Sequence, residues 1–226
     1  MEIIPAILPK NFKEIEEKVE QVIGIATLVQ IDICDGKFVP TVTWPYWKAD
    51  ENFEAILREE RGMPEWEKIN YEFDLMIENP TEDDARKWLS AGAERIVLHR
   101  ESSKDLTPII AILSGLVEIG IAINISTKLE EINKYSDKIQ FIQIMGIHKA
   151  GFQGQKFEPD AIKKVKEVKA MFPHIKVQVD GGITLENASL LKHAGVDILV
   201  VGSAIFGYGH DESENVVENF EEFKRV

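Results

Sequence analysis

Eight short apolar runs recur along the chain, each followed by a longer segment whose apolar residues return at helical spacing. This alternation constrains the fold more than any other feature, because parallel neighbouring strands need a crossover, usually helical, and a parallel sheet must be covered by its helices. Residues 2–8, 28–34, 69–76, 95–99, 119–124, 141–145, 176–180 and 198–201 are the predicted strands. Residues 11–22, 51–61, 81–91, 106–117, 128–134, 159–172, 185–193 and 212–223 are the predicted helices, the last with Val216, Phe220 and Phe223 on one apolar side. Asn11 and Thr81 suit N-caps, and Gly92 and Gly195 stand where helices should stop. Eight such units in 226 residues, with no linker or low-complexity segment, predict one domain, a (β/α)8 barrel, slightly under the ~250 residues usual for that fold. A doubly wound open sheet is the competing arrangement.

Charge and composition narrow the function. There are 26 basic against 39 acidic side chains, a net charge of −13, which argues against a nucleic-acid partner because phosphate neutralisation needs a basic surface. No run approaches the roughly 18 apolar residues of a membrane span, and the opening Met1-Glu2-Ile3-Ile4 lacks the basic start of a signal peptide. A cytoplasmic protein with no membrane partner is expected. The single cysteine, Cys34, excludes an intramolecular disulfide and any cysteine cluster for a metal. Residues 37–66 form a long connection holding Trp44, Tyr46, Trp47 and Trp66; packing over a barrel edge or a subunit contact is the expected role, with a lid as the alternative.

Side chains two apart share a face of a strand, so Gln30, Asp32 and Cys34 go together, as do Asp74 with Met76 and Gln178 with Asp180. Polar residues at the C-terminal ends of barrel strands mark an active site. One such aspartate could be a cap or an amide partner. Three carboxylates converging from strands 2, 3 and 7 repel one another and are costly to desolvate unless they share a cation or a proton. Glycine-bearing segments follow strands 6, 7 and 8: Gly151 to Gly154, Gly181-Gly182, and Gly202-Ser203, the last opening a short extra helix. Their exposed backbone N–H groups predict a phosphate site, which a net negative charge does not prevent because amides act locally.

These residues resemble the ribulose-phosphate 3-epimerase family over essentially the whole chain. The matching stretches are Pro5-Ala6-Ile7-Leu8, Ile31-Asp32-Ile33-Cys34-Asp35-Gly36-Lys37-Phe38-Val39-Pro40, Asp74-Leu75-Met76-Ile77-Glu78-Asn79-Pro80, and Ala91-Gly92-Ala93 leading to His99. Residues 151–157, Val179-Asp180-Gly181-Gly182-Ile183 and Val201-Gly202-Ser203-Ala204-Ile205-Phe206 continue the match. The resemblance implies an isomerase that inverts C3 of a phosphorylated ketopentose (ribulose 5-phosphate or xylulose 5-phosphate) through an enediolate, with Asp32 and Asp180 as acid and base. It also implies a divalent metal as Lewis acid, flanking methionines at Met76 and Met145, a phosphorylated sugar as ligand, and assembly as a homo-oligomer.

The chain departs from the family where the metal is held. The two family histidines are replaced by Gln30 and Asp74, Ala6 stands where a serine is usual, and the strand 6 loop carrying His148 differs in length. His99 matches a family histidine that is not a ligand, with packing or hydrogen bonding expected of it. A metal held by Asp32, Asp74, Asp180 and Gln30 would see only oxygen donors, suited to magnesium, manganese or calcium more than zinc. These departures open a second function, a non-catalytic or altered-specificity phosphosugar-binding barrel; a third, a lyase of the hexulose-phosphate synthase or decarboxylase type, resembles this chain in its glycine segments and is disfavoured because no lysine lies between Asp32 and Asp35.

Overall fold

The structure, a computed structural model, describes residues 1–208, 211–212 and 215–226. Strands β1 (Glu2–Ile7), β2 (Leu28–Cys34), β3 (Asn70–Met76), β4 (Ala93–His99), β5 (Glu118–Ile123), β6 (Phe141–Met145), β7 (Lys176–Asp180) and β8 (Ile198–Val201) pair in chain order. All pairings are parallel, and β1 bonds to β8 as well as β2, which closes the barrel and excludes the open sheet. Outside lie α1 (Phe12–Val22), α2 (Glu51–Leu57), α3 (Glu82–Ser90), α4 (Thr107–Leu113), α5 (Asp160–Met171), α6 (Leu185–Ala194), α7 (Ser203–Phe206) and α8 (Val216–Arg225). Asn11 caps α1 by accepting the Glu14 N–H, Thr81 and Asp84 form a reciprocal cap on α3, and Gly195 ends α6 at φ +99°.

Several expected helices are shorter. The segment after β5 is a four-residue 3-10 helix, Leu129–Ile132, rather than an α-helix over 128–134. Its buried residues Leu129, Ile132 and Tyr135 recur every third position, which aligns on a three-residue turn and drifts on an α-helix. α2 stops at Leu57, two residues before Glu59 at φ +59°, and α4 stops at Leu113, where Ser114 is extended and Gly115 left-handed. The last expected helix begins at Val216 instead of 212; residues 213–214 lie outside the described residues, and β10 (Asp211–Glu212) pairs antiparallel with β9 (Gly207–Tyr208). No helix among the described residues is long and apolar enough to cross a membrane.

The strands' outward residues, such as Ile31, Ile33, Tyr71, Phe73 and Leu75, form the main core against the helices. Trp44 is buried there between Phe12, Phe53 and Trp88, with ring centroids 5.5, 5.2 and 6.1 Å away. The long connection therefore packs over the barrel edge at Trp44, while Trp47 is 65% exposed. Inside, two small apolar clusters, Ile4, Ala6, Leu28, Ile198 and Val200 on one side and Val97, Ala122, Phe141 and Met145 on the other, flank a polar band. At the N-terminal end Arg95 closes the barrel, 2.9 Å from Glu118, 3.2 Å from Glu2 and 3.9 Å from Glu72. Gly120 makes room there, since a Cβ would sit 2.2 Å from the Phe141 ring.

Trp88 contacts Trp44, Phe53 and Phe73 in one aromatic cluster. Trp88→Ala should lower stability by about 3–5 kcal/mol, read as a fall in the urea midpoint with little change in the slope.

Candidate active site

Parallel register places β2 and β3 residues side by side on the inner face: Gln30 beside Glu72, Asp32 beside Asp74, and Cys34 beside Met76. β7 brings Asp180 to the rim beside Met145 of β6. Among the described residues, Asp32, Asp74 and Asp180 are the group that could hold a metal, each offering an oxygen within 4.8 Å of the others. Two glutamines and a histidine support them directly, and a third glutamine lies behind. Gln30 Nε2 donates to Asp32 Oδ1 at 2.8 Å; His99 Nε2 pairs with Asp74 Oδ1 at 2.9 Å, and Gln143 Nε2 donates to Asp74 Oδ2 at 2.9 Å. Gln178 Nε2 lies 2.7 Å from both Glu72 Oε1 and Gln143 Oε1 and 3.4 Å from Gln30 Oε1.

This crowding controls protonation. Burial, then the charges of Asp180 and Asp74, raise Asp32 well above the ordinary carboxylate range despite the opposing Gln30 bond. Burial and Asp74 raise Asp180 to about 7, against the pull of His99, Gln30 and the Gly181 N–H. Burial pushes Glu72 up to about 8, with Gln178 and Arg95 working the other way. Gln178 Nε2 faces three acceptor oxygens with two N–H groups. Burial alone would lower His99, yet Asp74 beside it carries it above its ordinary value. Burial also pushes the Cys34 thiol up, so it behaves as an inert apolar group 3.9 Å from the Met76 sulfur.

One cleft at the C-terminal mouth gathers Asp32, Asp180, Met76 and Met145 with Gly151, Gly154, Gly181, Gly182, Gly202 and Ser203. Asp74 and Gln30 lie beneath it, fully buried. Gln30 turns its amide nitrogen to Asp32 and its oxygen toward Gln178. Gly182 is required sterically: it sits at φ +67°, and a Cβ would lie 2.7 Å from the Phe157 nitrogen. His148 is outside the cleft, exposed and 3.2 Å from Glu158. Sequence reasoning passed over Glu72 and Gln143. The signal was available, since Glu72 is two residues before Asp74 and Gln143 interrupts the apolar run Phe141-Ile142-Gln143-Ile144.

The family model for the ribulose-phosphate 3 epimerase family matches residues 2–206. The ribulose-phosphate 3-epimerase of Aquifex aeolicus is 30% identical over 211 residues, covering 91% of this chain and 89% of that protein. That of Candida glabrata is 29% identical over 215 residues, covering 90% and 85%. Among solved structures, 3-hexulose-6-phosphate synthase from Salmonella typhimurium superposes with a TM-score of 0.73 at 13% identity, covering 100% of this chain and 97% of that one, a likeness of fold alone.

Glu72 should make stability pH-dependent. Its proton is held up to about 8 in the folded protein, against an ordinary value of 4.5. Below the ordinary value both states are protonated and the contribution is fully present; as pH rises the unfolded chain ionises first, and the contribution is lost up to the folded pKa. Glu72→Gln should therefore gain on the wild type between pH 5 and pH 8 in urea unfolding. Parallel pH profiles would contradict this account of Glu72.

Proposed function

The chain belongs to the ribulose-phosphate 3-epimerase family, and from that premise we propose that it inverts C3 of ribulose 5-phosphate or xylulose 5-phosphate through an enediolate, with Asp32 and Asp180 as acid and base. The observation that carries this reading is that Asp32 of β2 and Asp180 of β7 enter one cleft with the glycine segments after β6, β7 and β8. Inverting a carbon α to a carbonyl needs a proton removed from one face and returned to the other, which two carboxyls reaching in from different strands can do. A proton affinity near neutrality suits Asp180 to both halves of that exchange. Met76 and Met145 give the cleft a polarizable apolar wall, with Cys34 packed behind Met76. The backbone N–H groups of Gly154, Gly182, Gly202 and Ser203 are the phosphate's partners in this reading, with Gly151 and Gly181 shaping the turns.

The donor chemistry fits a divalent cation. Asp32, Asp74 and Asp180 would hold it, an all-oxygen set that favours magnesium or manganese over zinc, and Gln30 as oriented supports Asp32. Such an ion supplies positive charge against the negative charge that develops on the substrate. The replacement of both imidazoles by Gln30 and Asp74 also favours a second reading, a phosphosugar-binding barrel that is non-catalytic or of altered specificity.

Ribulose 5-phosphate in heavy water separates the two. The wild type, tried with magnesium, manganese and zinc in turn, should invert C3 and exchange its proton, seen by NMR and a coupled assay. Asp32→Asn and Asp180→Asn should each abolish inversion, while exchange on the remaining face can persist. A wild type that binds the sugar but neither inverts nor exchanges C3 moves the function to the second reading.

The phosphate placement has its own check. A Cβ at Gly202 would already sit 3.0 Å from Gln153 Nε2. A folded Gly202→Leu variant should therefore lose about tenfold or more in phosphosugar affinity by calorimetry, ~1.4 kcal/mol. Unchanged affinity would put the phosphate elsewhere.

A further inference from the structure

Asp74 is held differently from the other two carboxylates. Each of its oxygens is engaged by a side chain from another strand: His99 of β4 on Oδ1 and Gln143 of β6 on Oδ2, both at 2.9 Å. The two partners are themselves buried, His99 at 1% exposure and Gln143 at 0%. Neither is loose. The His99 ring packs on Phe38, 5.1 Å between centroids at 56°. Phe38 is fixed in turn by its N–H to Asp35 Oδ1, while Asp35 Oδ2 accepts the Glu78 N–H, tying the exits of β2 and β3 together. Gln143 is anchored through its own oxygen, which accepts from Gln178 at 2.7 Å.

A carboxylate oxygen has two acceptor positions. One hydrogen bond to each oxygen leaves a position on each for a cation and fixes the carboxylate plane. Without these donors the Asp74 carboxylate would be free to rotate about its Cβ–Cγ bond. We propose that His99 and Gln143 are positioning residues that hold Asp74 as a cation ligand in the place of an imidazole, so that cation affinity at this site depends on two side chains that do not touch the ion. The inference rests on reading Asp32, Asp74 and Asp180 as the cation site. Groups behind a ligand of this kind change metal affinity by about 10–100-fold when removed.

The test is titration of the full chain with Mn2+, followed by calorimetry and by the EPR signal of free Mn2+, with melting curves for every protein. His99→Leu removes the donor to Oδ1, and Gln143→Met removes the donor to Oδ2 at similar volume. Each should weaken Mn2+ binding by about 10–100-fold. His99→Gln, which can return an amide N–H near the same place, should recover much of the loss. Phe38→Leu loosens the ring without touching Asp74 and should give a smaller loss; with Gln143→Met it keeps the proposal testable if His99→Leu does not fold. Lower melting temperatures with unchanged Mn2+ affinity would mean a structural role only and would overturn the proposal. So would a wild type that binds none of Mg2+, Mn2+ and Zn2+. Cation affinity that depends on His99 in a protein inert toward C3 supports this inference and sinks the epimerase reading; C3 inversion with affinity indifferent to His99 does the reverse.

Discussion

Closing eight short strands into a barrel forces every second side chain into a space that water barely reaches, and in this chain that space receives four carboxyl groups. Asp32, Glu72, Asp74 and Asp180 come from three strands, and an isolated ionised carboxyl there is worth many kcal/mol against folding. The rest of the interior answers that constraint. At the closed end Arg95 supplies fixed positive charge, within salt-bridge distance of Glu2, Glu118 and Glu72. Between the ends, Gln30, Gln143 and Gln178 link the carboxyls without adding charge, because an amide both donates and accepts. At the mouth burial first, and then the repulsion of neighbouring carboxyls, raises the proton affinity of Asp32 and Asp180. The same imbalance that stores protons there is what an acid–base pair, or a cation site, requires.

The opposite half of the mouth is built from backbone. Gly182 and Gly202 bring main chain close to the cleft where a side chain would collide, and Gly202 lies against Gln153 from the β6 loop. An anionic group can be held there despite the net charge of −13, because amide dipoles act over a few ångströms whereas the surface charge is screened beyond about 10 Å. The cleft thus sets carboxyls from β2 and β7 beside backbone amides from the segments after β6, β7 and β8, with Asp180 and Gly181 adjoining in sequence.

The strands were legible because parallel-sheet cores need continuous apolar runs of fixed length, and β2, β6, β7 and β8 fall on the residues expected. Counting eight units favoured a barrel but left the open sheet as a competitor, and closure itself is the pairing of β1 with β8. Helix ends were less legible. Leu129, Ile132 and Tyr135 are spaced for a tighter helix, and the stops at Glu59 and Gly115 depend on single left-handed residues inside otherwise helical patterns. At the mouth, alternation alone joined Asp32, Asp74 and Asp180 to the correct face. It could not pair residues from distant strands: the contact of His99 with Asp74 depends on β4 and β3 lying side by side at one level, and that of Gln143 with Asp74 spans the barrel. Trp44 likewise read only as packing or lid, and its burial among helical aromatics is a tertiary fact.

Asp74 bears on the charge of the whole site because it is a third carboxyl beside Asp32 and Asp180, and ionised carboxyls that close repel one another and are costly to desolvate. His99 answers that crowding from β4, 2.9 Å from Asp74 Oδ1. Against the burial that would lower it, Asp74 raises the proton affinity of His99 above its ordinary value. The support thus comes from behind the site, from β4 and, through Gln143, from β6, and with one hydrogen bond on each oxygen it leaves Asp74 an acceptor position on each.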